Sequence, residues 1–145
     1  MPEGIATMWL DYGSFVEGAV HFVVAFGIAC VLLAVFKWAY QISTPYDERT
    51  LVAAGNVAAA TALGGAIVGF ALPLASALTQ TGNPVEFAAW GVLAGVIQIL
   101  ASLVVRRFVV RDMVSRIEGG NVASGVYLAA TSVAVGLLNA ASMTY

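Results

Sequence analysis

Few side chains in this sequence are equipped for chemistry. There is one histidine, His21, and one cysteine, Cys30. His21 follows Glu17 at the i,i+4 spacing of helix neighbours, and an imidazole beside a carboxylate titrates near neutral pH. The pair reads as a contact near a membrane boundary or as a proton-sensing or relay group. Glu86 carries the same two readings, helix-start acid or proton carrier. Cys30 has no second thiol and no metal-ligand spacing around it, so it is expected as a small buried apolar side chain. No nucleophile–base pair, phosphate-binding glycine loop or metal constellation is visible. The expectation is a protein that is not an enzyme, with no catalytic residues, no metal and no cofactor.

The distinctive polar residues are amides. Gly55-Asn56-Val57-Ala58 returns 65 residues later as Gly120-Asn121-Val122-Ala123, each time at the start of a long apolar run, and Gln98 lies between them. An amide entering lipid needs a partner. Asn56 and Asn121 therefore read as glue between helices, with Gly55 and Gly120 permitting close approach, or as groups lining a polar path for an ion or small solute past Asn56, Gln98 and Asn121.

What must position these residues is set by composition. The 145 residues are 61% hydrophobic and 10% charged, too apolar to hide in one small core, so the bilayer is the expected solvent. Spans are expected near 15–42, 51–78, 85–105 and 119–143. The class is all-α, a polytopic membrane protein whose four transmembrane helices form two parallel-repeat helical hairpins. The whole chain, 1–145, is one membrane domain with repeats at 15–82 and 83–145.

Residues 1–13, with Trp9 and Tyr12, read as an interfacial lead-in, and residues 1–17, with Glu3, Asp11 and Glu17 and no basic residue, do not suit a cleaved signal. Ser14 to Glu17 matches a capping box and predicts the first helix start. Thr44-Pro45-Tyr46-Asp47 predicts a second start and a helix running on through Gly55-Asn56, with Glu48 and Arg49 in a solvated loop. Asn83-Pro84-Val85-Glu86 predicts a third. Tyr40, with Lys37 and Trp38, is expected to snorkel to the interface. Gly65 with Gly69, and Gly91 with Gly95, form strips for helix contact. These strips exceed what four helices need, which predicts a homo-oligomer.

All six basic residues fall on one side of this layout. By the positive-inside rule the 41–50 and 106–118 connections are cytoplasmic and both termini are outside. Arg106, Arg107, Arg111 and Arg116 are expected to meet lipid headgroups, with docking of a cytoplasmic protein at 106–116 as the other use, and Asp112 with Arg116 forms an i,i+4 pair. A net charge of -2 without a basic tail gives no reason to expect nucleic acid.

Thr44-Pro45-Tyr46-Asp47-Glu48, Gly55-Asn56-Val57-Ala58-Ala59-Ala60, Gly64-Gly65 with Gly69, and Gly120-Asn121-Val122-Ala123 together resemble domain of unknown function family 350, the YjfL-like bacterial inner-membrane proteins. The resemblance runs from about residue 15 to the end. It implies a four-span protein of the bacterial cytoplasmic membrane and brings no settled activity. The leading expectation is a non-enzymatic, homo-oligomeric, envelope-associated structural or accessory component surrounded by membrane lipids. The alternative is a small channel or transporter.

Overall fold

The computed structural model describes residues 12–144, and the lead-in around Trp9 lies outside them. Helix α1 spans Tyr12–Ser43, α2 Glu48–Ala53, α3 Val57–Gln80 and α4 Pro84–Val104. A π-helical stretch, Val105–Val109, prolongs α4, and α5 (Met113–Glu118) and α6 (Val122–Ala141) follow. No strand occurs among the described residues. Four helices are long and apolar enough to cross a membrane: Gly13–Ser43, Val57–Gln80, Pro84–Val109 and Val122–Ala141. The fold is therefore all-α with four membrane-spanning helices.

The helix starts follow local chemistry, not always as expected. Asn83 caps α4 by accepting from the Val85 N–H at 2.8 Å, with Pro84 at the first helical position where its missing N–H costs nothing. Ser14 is not a start, because α1 is already helical at Tyr12. Thr44 is not a start either. Its hydroxyl turns back to the Gln41 carbonyl at 2.7 Å, and Asp47 does the capping, accepting from Arg49 N, Thr50 N and the Thr50 hydroxyl. A carboxylate with three donors outcompetes a hydroxyl already spent on the preceding helix.

The helix expected to run through Gly55-Asn56 breaks there. Gly55 adopts φ 81° and Gly120 φ 77°, the left-handed conformation that glycine takes without a Cβ penalty. Asn56 N–H donates to Leu51 O and Gly55 N–H to Val52 O, the bond pair of a Schellman stop; Asn121 to Arg116 O and Gly120 to Ile117 O repeat it. Each Asn then becomes the cap of the next helix at φ -70°, ψ 100°, accepting from Ala59 N or Ser124 N at 3.0 Å. Stop and restart thus occupy adjacent residues, built twice in the same way.

Helices α3 and α6 form the tightest pair. Ala58 meets Gly125, Gly65 meets Ala129, and Gly69 meets Ser132 and Gly136, so residue numbers rise together and the two run parallel. A Cβ on Gly65, Gly69, Gly125 or Gly136 would strike the partner backbone. In lipid, where apolar burial adds little between helices, such approach earns dispersion contacts instead. Ser76 adds a hydroxyl bond to Ala140 O at 3.0 Å.

The second glycine strip also closes internally: a Cβ on Gly91 would sit 2.7 Å from Leu32 Cδ1, and one on Gly95 3.3 Å from Phe70 Cε2. Both strips are therefore occupied within one chain, and the excess invoked for an oligomer disappears. Helix α1 joins the bundle through Leu32, Leu33, Phe36 and Tyr40, with Phe36 stacked on Phe70 at 4.2 Å between ring centroids. Residues 13–24 are exposed throughout.

Candidate functional site

Gln98, Ser102 and Arg106 recur every fourth residue, which places all three on one face of α4 and its π-helical extension, and all three are buried. Gln98 Nε2 donates to Ser132 O at 2.6 Å, Ser102 Oγ to Gln98 O at 2.9 Å and Arg106 Nε to Ser102 O at 3.2 Å. The polar stripe ends in a cluster at the arginine-bearing end of the bundle. There the Arg106 guanidinium lies over the Tyr40 ring, 5.0 Å from its centroid, a cation–π contact.

Glu48, the first residue of α2, enters the same cluster and is only 2% exposed. Tyr46, from the linker before it, is buried as well. Both Glu48 oxygens, both Arg106 Nη nitrogens and the Tyr40 and Tyr46 hydroxyls are enclosed without closing a hydrogen bond. Burial pushes the Glu48 carboxyl up to about 7, against the pull of Arg106 and of nearby Gln41 and Lys37. Burial, then the Glu48 charge, pushes Tyr46 up to about 12, with Arg106 opposing. Asp47, exposed beside them, goes the other way: its bonds to Thr50 and Arg49 hold it below the usual carboxylate range. Burial thus favours the protonated form of Glu48 toward neutral pH, inside a cluster drawn from three chain segments. Among the described residues no cluster of His, Cys, Asp and Glu suited to a metal occurs.

The residues singled out by sequence are dispersed. Asn56 and Asn121 are helix caps; the Asn56 amide also donates to Ile117 O at 2.8 Å and Glu118 O at 3.3 Å, tying α3 to the end of α5. Gln98 sits in the stripe. His21 and Glu17 are exposed on α1 and form no ion pair with each other, and Glu86 is exposed in the first turn of α4. Arg107, Arg111 and Arg116 are exposed, whereas Arg106, expected at the headgroups with them, turns inward because Tyr40 and the Ser102 carbonyl receive it. Asp112 and Arg116 make no ion pair: Asp112 takes φ 58° and its carboxylate caps nothing. Cys30 is exposed on the apolar surface and not buried.

A family model described as Domain of Unknown Function (DUF350) matches residues 14–143. The chain belongs to this family. The UPF0719 inner membrane protein YjfL of Escherichia coli strain K12 is 32% identical over 120 residues, covering 83% of this chain and 90% of YjfL. YjfL of Escherichia coli O157:H7 matches equally. No solved structure matches.

In this DUF350 chain, three members of the cluster escaped sequence reading. Tyr40 was expected at the interface and Glu48 in a solvated loop, and Tyr46 served only as part of a start signal. The available signal was the four-residue spacing of Gln98, Ser102 and Arg106, which carries a polar face along an apolar helix straight to the cluster.

Proposed function

We propose that this DUF350 protein is a non-enzymatic component of the bacterial cytoplasmic membrane that self-associates and serves the envelope as a structural or accessory protein. The name of YjfL as an inner membrane protein supports the location. The gathering of basic residues at the α2 and α5 end supports a cytoplasmic 41–50 and 106–118, with both termini outside. The twin junctions at Gly55-Asn56 and Gly120-Asn121 support descent of 15–82 and 83–145 from one duplicated hairpin.

One observation carries the self-association. Residues 13–24 of α1 touch no other helix closely enough to be buried, and this stretch holds Glu17 and His21. Helix α1 has 32 residues, about 48 Å at 1.5 Å per residue, so with its other end packed at Tyr40 these two groups lie near the outer hydrocarbon boundary. A second copy laid along this stretch shields both from lipid and leaves them in mutual reach. Single cysteines at each position from Val16 to Val24 in a Cys30→Ala background test this in native membranes. Dimer cross-links at helical periodicity support the reading; monomer at every position, together with a monomeric mass in mild detergent, sinks it.

The second reading, a small ion or solute path, is favoured by two buried polar atoms at mid-bundle, Gln98 Oε1 and Ser132 Oγ, which have no hydrogen-bond partner among the described residues. The other interior amide points elsewhere: Asn139 Nδ2 is held by Ala94 O at 3.3 Å. Flux through reconstituted protein, altered in Gln98→Leu without unfolding, would establish the path, and absence of flux in the parent protein would remove it.

A further inference from the structure

A groove of about 860 Å³ opens beside the end of α4, between the linker after α1 and the start of α5, within the size range of small-molecule sites. Leu100, Leu103 and Val104 make its long wall and Phe108 extends it, all four exposed. Arg106 borders it from its buried place over Tyr40, and Arg107 and Asp112, exposed and opposite in charge, also line it. Neither side chain has a hydrogen bond or ion pair within the described residues, although arginines and an acid crowd this segment. Asp112 holds a left-handed backbone, φ 58° and ψ 26°, one that aspartate tolerates better than most residues, and its carboxylate caps none of the α5 N–H groups.

We infer that this groove is a phospholipid site that selects an ethanolamine headgroup, with the phosphate on Arg107, the ammonium on Asp112 and an acyl chain along Leu100, Leu103, Val104 and Phe108. The inference rests on the reading that places this end of the bundle at the membrane–water boundary. A guanidinium is the preferred planar partner of a phosphate. A primary ammonium brings three N–H donors to a carboxylate. A choline headgroup has none, and a glycerol headgroup has no cation to place against the Asp112 carboxylate. The apolar wall continues the lipid-facing surface of α4, so a chain enters without leaving the hydrocarbon.

The test is lipid retention by the full chain, released from mild detergent and followed by native mass spectrometry with phosphatidylethanolamine, phosphatidylcholine and phosphatidylglycerol of matched chains. Phosphatidylethanolamine should be retained about tenfold over phosphatidylcholine, the worth of one charge-assisted hydrogen bond. Asp112→Asn should erase that preference, and Arg107→Gln should lower retention of all three. Equal retention by the parent protein means annular lipid only and overturns the site, as does a preference for phosphatidylglycerol or one that survives Asp112→Asn. Loss of lipid together with cross-links between copies through a cysteine at Phe108 would assign the groove to a second copy instead. A polarity-sensitive dye on a cysteine at Arg111, in the Cys30→Ala background, separates the two layers of the argument. Headgroup polarity with no selectivity overturns the site alone, whereas a bulk-water signal overturns the boundary placement as well.

Discussion

The segments 47–57 and 112–122 share a backbone plan and differ in almost everything hung on it. Each begins with Asp47 or Asp112, runs one short helix, stops on a left-handed glycine and restarts on an asparagine. Asp47 closes bonds to two backbone N–H groups and the Thr50 hydroxyl; Asp112 closes none. The first buried position holds a carboxylate, Glu48, in one segment and a thioether, Met113, in the other. Asn56 reaches across to α5, while the Asn121 amide nitrogen makes no corresponding bond. The lesson is that two or three residues dictate the junction, which leaves the other positions free to differ: the first segment ends in a polar cluster and the second in an apolar plug with unpaired charges outside.

That comparison is open to experiment, beginning with what both halves depend on. Gly136→Leu drives a side chain into the Gly69 carbonyl and should cost roughly 3 kcal/mol or more, read as loss of folded protein in a denaturant titration. Leu at Gly64, which has open space around it, should fold normally. The junctions should then separate. Asn56→Ala loses a cap and two interhelix bonds, about 2 kcal/mol, and Asn121→Ala the cap alone, about 1 kcal/mol. Equal losses would mean that the tie to α5 contributes nothing.

Glu48 supplies a pH difference between the two segments. Folded, it keeps its proton up to about 7, and unfolded only to its ordinary 4.5. The stabilisation is therefore complete below 4.5 and is lost as pH rises through 7. Glu48→Gln should flatten this slope and leave the variant relatively more stable at pH 8, by thermal melts across the window. The smallest effect is expected at the paired acids. Asp47→Asn should remove a stabilisation that is present at neutral pH and fades in acid as the depressed carboxyl protonates, whereas Asp112→Asn should leave melting unchanged.

Span number, helix class and the Asn83-Pro84 start were legible because length, hydropathy and cap chemistry are local properties of the chain. The junction was misread for a physical reason: within an apolar run a lone Gly-Asn pair looks like tolerated helix, since nothing around it is polar enough to suggest a loop. The informative order is glycine before asparagine, a stop residue followed at once by a cap. Thr44 was mistaken for a cap because the competing claim of the Gln41 carbonyl depends on where α1 ends. Tyr40, Tyr46, Glu48 and Arg106 come together only when three segments converge, so single-segment reading left Tyr40, Glu48 and Arg106 at the surface and gave Tyr46 no place. Cys30 erred differently, because in lipid a thiol is as well accommodated on the outside of a helix as within.

The parallel contact of α3 with α6 has a consequence for how the chain is made. Its two sides leave the ribosome far apart, with α4 and α5 synthesised between them, so the closest interface in the molecule is also among the last to assemble. Until α6 arrives, Gly65 and Gly69 present a bare groove in the bilayer, open to the wrong neighbour. Slow elongation through residues 84–121 would prolong that interval, so mispairing is expected of the nascent chain more than of the finished one.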